Sequence, residues 1–148
     1  MSETVESLST WLRRIERWTV LTGAGISADS GIPTYRDQHG KWLRVDPIQH
    51  KEFIESDQKR KRYWARSMVG WPSVEKALPN AHHTALATLE RIGKISTLIT
   101  QNVDRLHQKA GSQRVIDLHG RLDRVVCLSC GQPEARAALQ ARLLATNP

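Results

Sequence analysis

The tightest constraint in this sequence is a short β-forming run, Trp18-Thr19-Val20-Leu21-Thr22, that passes without a spacer into Gly23-Ala24-Gly25-Ile26-Ser27. Aromatic and β-branched residues suit a short buried strand. Two glycines directly behind such a strand let the chain turn tightly and let backbone amides approach a bound group. The spacing Gly23-x-Gly25-x-x-Ala28 fits the relaxed dinucleotide fingerprint. Taken alone, a glycine-rich turn is more often only a turn. Gly31 and Pro33 also interrupt the helix that should run on from Ala28, and no acidic ribose-binding residue stands in the usual place. A simple NAD(P) dehydrogenase is therefore disfavoured.

Strand and helix signals alternate along the rest of the chain. Val5 to Arg17 is expected as a helix, with Leu8, Trp11, Leu12 and Ile15 at helical spacing. Ala28 to Pro47 reads as a long loop, and long loops in compact domains are usually functional. Lys51 to Met68 is a charged helical segment that Trp71-Pro72 should break. Asn80 is placed to cap a helix with Ala85, Leu86, Leu89 and Ile92 on its apolar face and Gly93 at its end. Ile95 to Thr100 is a second strand. Val103 to Ala110 is a short helix closed by Gly111, and Val115 to Leu118 is a third strand. Val125-Val126 leads into Cys127-Leu128-Ser129-Cys130, and Pro133 to Ala145 is an amphipathic helix. This alternation predicts an α/β fold built on a parallel sheet. Ligands of such sheets bind beyond the carboxyl ends of the strands. Polar groups stand at all three ends: the glycine turn, then Gln101-Asn102, then His119. Their convergence on one pocket is the main expectation from pattern.

Composition limits the alternatives. The 148 residues are 39% hydrophobic and 25% charged, with two cysteines. This suits one domain and excludes a disulfide-built scaffold. No apolar run nears the roughly 18 residues that cross a bilayer. The first ten residues include Glu3 and Glu6 and no basic side chain, unlike a secretory signal or a transit peptide. A cytoplasmic, reducing location and no membrane partner are expected. Lys and Arg number 22 against 15 Asp and Glu, a net charge of +7. That favours anionic partners without choosing among them. The run Lys59-Arg60-Lys61-Arg62 suits a solvated helix face better than a nucleic-acid patch, since it lacks a spaced aromatic platform.

Several side chains could carry chemistry. Arg36, in Tyr35-Arg36-Asp37, could hold a phosphate or carboxylate in a bidentate way, or be a surface arginine. Gln101, Asn102 and Asp104 could orient a ribose or carboxamide. Equally, Asn102 could be the N-cap of the helix from Val103. His119, at the mouth of the expected crevice, is the candidate general base. The other five histidines, His39, His50, His82, His83 and His107, are assigned no chemistry. Cys127-x-x-Cys130-Gly131 is half of a zinc knuckle, preferred over a redox pair because it follows a strand rather than opening a helix.

Together these motifs resemble the sirtuin family of NAD-dependent protein-lysine deacylases. The matching stretches are GAGISADSGIPTYRD (Gly23 to Asp37), TQNVDRLH (Thr100 to His107), LHG (Leu118 to Gly120) and CLSC (Cys127 to Cys130), in family order. RYWARSMVGWP (Arg62 to Pro72) is similar to the class II branch, of the mitochondrial deacylase/lipoamidase type. The resemblance implies a Rossmann-type domain over residues 1–120 and the first half of a zinc-binding module over 121–148. It implies NAD and zinc as cofactors and acylated-lysine proteins as substrates. Gly23, Ala24, Gly25 and Ser27 would line the cofactor phosphates, and Tyr35 and Arg36 would belong to the cofactor-binding loop. Gln101, Asn102 and Asp104 would line the ribose and nicotinamide pocket, and Cys127 and Cys130 would ligate zinc. In the implied reaction the acyl-lysine oxygen attacks the nicotinamide ribose and nicotinamide leaves. His119 then helps deprotonate a ribose hydroxyl, and the products are lysine, nicotinamide and O-acyl-ADP-ribose. Tyr63 and Arg66 share a helix face and could select an acidic or long acyl group, or simply pack and face solvent.

A complete sirtuin would continue into a second cysteine pair and further strands. The expectation is an N-terminal portion of the fold, poorly stable and weakly active alone, with a bare sheet edge. A non-catalytic NAD or ADP-ribose binding module is the alternative. A basic nucleic-acid-binding protein with a zinc knuckle is disfavoured.

Overall fold

The computed structural model describes residues 9–10, 12–34, 39–41 and 47–147. Strands β1 (Trp18–Thr22), β2 (Ile95–Thr100) and β3 (Val115–Asp117) form a parallel sheet in that order. The connection from β1 to β2 carries a 3-10 helix (Ala24–Ser30), α1 (His50–Glu55), α2 (Asp57–Lys76) and α3 (Ala81–Arg91). The connection from β2 to β3 carries α4 (Leu106–Lys109). A smaller unit follows, in which β4 (Arg124–Val126) and β5 (Pro133–Ala135) pair antiparallel and run into α5 (Arg136–Thr146). The expected α/β class, parallel sheet and strand ends are present. Residues 9–10 and 12–14 are helical, but 15–17 have left the helix. The expected loop from Ala28 starts later, because the 3-10 helix runs on to Ser30 and stops at Gly31, with φ of 79°.

Strand register sorts the sheet into two faces. Val20, Leu98 and Val115 align in one row, and Leu21, Ile99 and Ile116 align in the next, on the opposite face. Leu98 is fully buried, whereas Leu21 is 63% and Ile116 51% exposed. Parallel sheets usually bury both faces. Here one face is buried at Leu98 and half-buried at Val20 and Val115, and the other carries exposed apolar residues at Leu21 and Ile116.

Helix α3 covers β2 with only part of the expected stripe, Leu86 and Leu89, both half-buried. Its buried residues are His83 and Glu90, with Leu86 and Ala87 half-buried between them, while Ala85 and Ile92 are exposed. Polar residues turn inward because each has buried work. Asn80 caps the helix, accepting from the amides of His82 and His83, and donates to Ile26 O (2.8 Å) and Ser30 Oγ (3.0 Å). Glu90 accepts from the amides of Gln113 (3.1 Å) and Arg114 (2.7 Å), which fixes the entry to β3. Hydropathy alone cannot see such bonds.

Pro72 does not break its helix. It lies inside α2, which continues to Lys76. Proline lacks the N–H that would bond the carbonyl four residues back, here Met68 O. That oxygen instead accepts from Gln140 Nε2 of α5, at 2.8 Å. One turn earlier on α5, Arg136 donates to Ser67 O (3.2 Å) and Ser67 Oγ (3.1 Å). Its guanidinium stacks 5.6 Å from the Trp64 ring centre and 5.1 Å from that of Trp71. Burial lowers its pKa. The smaller unit is therefore hooked onto α2 through carbonyls exposed by the proline turn. The expected helix from Pro133 likewise starts at Arg136, because Pro133–Ala135 pair with β4.

The basic run proves to be a helix face. Lys59 pairs with Glu52 (2.9 Å), Lys61 with Asp57 (2.8 Å), and Arg60 caps α1 at Phe53 O (3.1 Å) and Ile54 O (2.6 Å). No helix of the described residues is long and apolar enough to cross a membrane.

A Gln140→Leu substitution should cost about 1–3 kcal/mol by stranding the Met68 carbonyl. Pro72→Ala restores an N–H to that oxygen, so the same substitution should cost much less in an alanine background. Urea unfolding of the four chains checks this, and an unchanged cost would contradict it.

Candidate functional site

The three strands end in register at Thr22, Thr100 and Asp117. The loops beyond them carry the polar residues singled out in the sequence, and hydrogen bonds join these loops. Ser27, on the 3-10 helix after β1, is 1% exposed and donates to Asp104 Oδ2 at 2.7 Å. Asn102 Nδ2 donates to Ser27 Oγ (3.0 Å) and to Gly23 O (3.1 Å). The expected N-cap role of Asn102 is thus overturned. Helix α4 begins only at Leu106, and Asp104 Oδ1 accepts the Leu106 amide (2.9 Å), leaving Asn102 free to reach the glycine turn. The expected helix start at Val103 fails for the same reason.

Gly23, Ala24 and Gly25 form the turn between β1 and the 3-10 helix. A Cβ on Gly23 would come within 3.9 Å of Gln101 Nε2, and one on Gly25 would meet nothing within 4 Å. The space over Gly25 is open, so close approach to its backbone is unobstructed. The turn therefore fits a cofactor that lies against main-chain atoms.

His119 follows β3 and is exposed. Its Nδ1 lies 3.1 Å from Gln101 O. A carbonyl only accepts, so Nδ1 donates to it, and in the neutral tautomer this bond selects, Nε2 is the basic nitrogen. A neutral imidazole oriented by its other nitrogen is the arrangement a general base needs. The Gln101 backbone, which also donates from its amide to Thr22 O (3.0 Å), links His119 to the end of β1.

Sequence reasoning missed the layer beneath. Thr22 Oγ1 donates to Thr100 Oγ1 (2.9 Å), which also accepts the Asn102 amide (3.1 Å). With its proton engaged, the Thr22 hydroxyl accepts from His107 Nε2 (2.9 Å). His107, set aside as chemically silent, is 1% exposed and packs against the buried ring of His83, with centroids 4.9 Å apart. Two strands that each end in threonine just before a glycine or amide motif were the available signal.

The remaining candidates stand apart. Tyr35 and Arg36 lie outside the described residues. Tyr63 packs edge-on against Phe53 (5.0 Å) and Trp64 (5.2 Å), while Arg66 is exposed. These contacts join Tyr63 to an aromatic cluster of α1 and α2, not to the strand-end residues. Cys127 and Cys130 sit on the β4–β5 turn as exposed free thiols. That turn is closed by Gly131 N to Cys127 O (2.9 Å) and Cys127 N to Gln132 O (3.0 Å). Amides of Cys130 and Ser129 directed at the Cys127 sulfur lower its pKa. Among the described residues no group of three or more His, Cys, Asp or Glu is placed to hold a metal.

Burial lowers the pKa of both inner histidines, that of His107 to about 4, with the neighbouring His83 as a second cause. An unfolded histidine takes up its proton near pH 6.5. The native state is thus favoured fully above that pH, and the advantage is lost as pH falls toward about 4. His107 alone contributes on the order of 3 kcal/mol to this loss. The melting temperature should fall between pH 6.5 and 4, and less steeply in His107→Gln. Equal slopes for the two chains would contradict the assignment.

Residues 23–148 match the family model described as "Sir2 family". An "NAD-dependent protein deacetylase" of Xanthomonas campestris pv. campestris (strain B100) is 53% identical over 148 residues, which are 100% of this chain and 50% of that protein. The human "NAD-dependent protein lipoamidase sirtuin-4, mitochondrial" is 50% identical, over 99% of this chain and 48% of its own length. A solved complex described as "Sir2-p53 peptide-NAD+" superposes with a TM-score of 0.82 at 32% identity, over 98% of this chain and 57% of that one. The chain spans about half the length of the curated relatives it matches. With the glycine turn, the amide pair and the histidine at the ends of one parallel sheet, and a family match over most of its length, this chain belongs to the Sir2 family.

Proposed function

We propose that the chain forms the N-terminal part of an NAD-dependent protein-lysine deacylase, acting on acylated-lysine proteins in a cytoplasmic setting. The observation that carries this reading is the bonded set Ser27, Asn102 and Asp104, with His119 held on Gln101 beside it. Bound NAD would supply a ribose carbon that loses nicotinamide and takes the acyl oxygen, and a ribose hydroxyl that finally carries the acyl group. Gly23, Ala24 and Gly25 offer main chain to the phosphates. Tyr35 and Arg36 are assigned to cofactor binding by the family resemblance. Gln101, Asn102 and Asp104 line the ribose and nicotinamide pocket, with Ser27, Thr22 and Thr100 fixing their orientation. His119 Nε2 takes the ribose hydroxyl proton while Nδ1 stays anchored. Holding these groups rigid and excluding water favours the charged intermediate stages over hydrolysis.

Zinc fits the chain's residues only in half. Cys127 and Cys130 supply two thiol donors from one turn, with Cys127 biased toward thiolate, and a structural tetrahedral site takes four ligands. We assign these two cysteines as half of that site, in a small module over residues 121–148 beside a Rossmann-type domain over 1–120. Tyr63 and Arg66 remain candidates for acyl selection.

A second reading is a module that binds NAD or ADP-ribose without turnover, since the chain spans about half the length of the relatives it matches. Nicotinamide release from NAD with acyl-lysine peptides, measured beside a binding titration on a chain extended through the family's length, separates the two. The 148 residues should bind NAD but turn over little. A chain extended through the second half of the family's length should deacylate, and His119→Tyr should slow it by about 10²- to 10⁴-fold. Robust turnover by the 148 residues alone, or an extended chain indifferent to His119→Tyr, would contradict the proposal.

A further inference from the structure

Arg105 is the one non-glycine residue, among those described, whose backbone is left-handed, with φ of 68°. A long side chain gains nothing there by itself, and it lacks the short local hydrogen bonds that let Asn or Asp tolerate this region. Such a conformation persists only where its surroundings hold it. Arg105 stands between Asp104 and Leu106. Its turn folds the Leu106 amide back onto Asp104 Oδ1 (2.9 Å) and leaves Oδ2 for Ser27 (2.7 Å).

The holding contact is visible. The Arg105 guanidinium pairs with the Asp117 carboxylate, and the two side chains are only 19% and 20% exposed. The other oxygen of Asp117 accepts from Gln108 Nε2 at 3.0 Å. Asp117 ends β3, pairs in register with Thr100, and stands two residues before His119. One ion pair therefore ties the turn that presents Asp104 to the strand that delivers His119.

We propose that Arg105 and Asp117 are a positioning pair: their ion pair offsets the left-handed strain at Arg105 and so keeps the Asp104 carboxylate directed at Ser27. This rests on the strand-end site assigned above. Neither residue is catalytic; both act through Asp104.

Glycine enters the left-handed region without penalty, so it separates backbone strain from lost charge. Arg105→Gly needs no ion pair, whereas Arg105→Ala keeps the Cβ penalty with nothing to offset it. The readout is hydrogen exchange at the Leu106 amide, which reports Asp104 directly, with the Leu98 amide in β2 as the reference for global opening. Relative to Leu98, exchange at Leu106 should rise about tenfold in Arg105→Ala. It should stay within about twofold of the unmodified chain in Arg105→Gly. Asp117→Asn retains an acceptor for Gln108. It should accelerate Leu106 in the arginine background and leave it unchanged in the glycine background. If Arg105→Ala does not fold, that second comparison decides. Equal acceleration in glycine and alanine variants, or the same effect of Asp117→Asn in both backgrounds, would overturn the proposal. An NAD titration of the same chains keeps the two ideas apart. The expected exchange pattern without NAD affinity in the unmodified chain would sustain the pair and remove the cofactor reading.

Discussion

The hydrogen bond from Ser27 to Asp104 joins residues 77 apart in sequence and holds the loops after β1 and β2 together. Both residues are buried, so each polar group must find a partner inside. Asp104 meets this demand with the Ser27 hydroxyl and the Leu106 amide, and Ser27 with Asp104 and Asn102. That mutual satisfaction leaves the loops one arrangement. Asn102 then reaches Gly23, Gln101 offers its carbonyl to His119, and the strand ends become a single site.

The interior beneath the site is unusually polar. Among the described residues, five apolar side chains count as buried against nine polar or charged ones. Apolar burial alone therefore cannot define the packing, and directional bonds do much of it. Glu90 orders the start of β3, Asn80 pins α3 to the 3-10 helix, and the proline turn of α2 receives Arg136 and Gln140 from α5. The same sheet exposes an apolar row at Leu21 and Ile116 on its far side. Its packing is thus specified on one face and unspent on the other.

Local signals were legible where side-chain type fixes backbone state. The runs Trp18–Thr22 and Ile95–Thr100 were placed to the residue, as was the Asn80 cap, because β-branched clusters and short polar caps act over a few residues. The gathering of the glycine turn, Gln101-Asn102 and His119 followed from parallel topology. What stayed hidden depends on distant partners. Asn102 forgoes its cap because Gly23 and Ser27 are within reach. Pro72 stays helical because Gln140 supplies the donor its neighbour loses. The inward face of α3 is polar because Gln113 and Arg114 need an acceptor. His107 carries no chemical signal in the sequence, because its enclosure by Thr22 and His83 depends on distant strands. Gln101 and Asn102 were readable as site residues, whereas Thr22, Thr100 and Arg105 were not, since their parts depend on register and on a backbone angle that no residue name reveals.

The proposed function requires three strand ends to meet around one nucleotide. Amide chemical shifts of the isotope-labelled chain, followed while NAD is titrated, test this directly. The amides of Gly25, Asn102, Asp104 and His119 should move together along one binding curve, with Val126 and Leu144 unmoved. Shifts confined to one of those loops, or His119 responding at a different NAD concentration from Gly25, would contradict it.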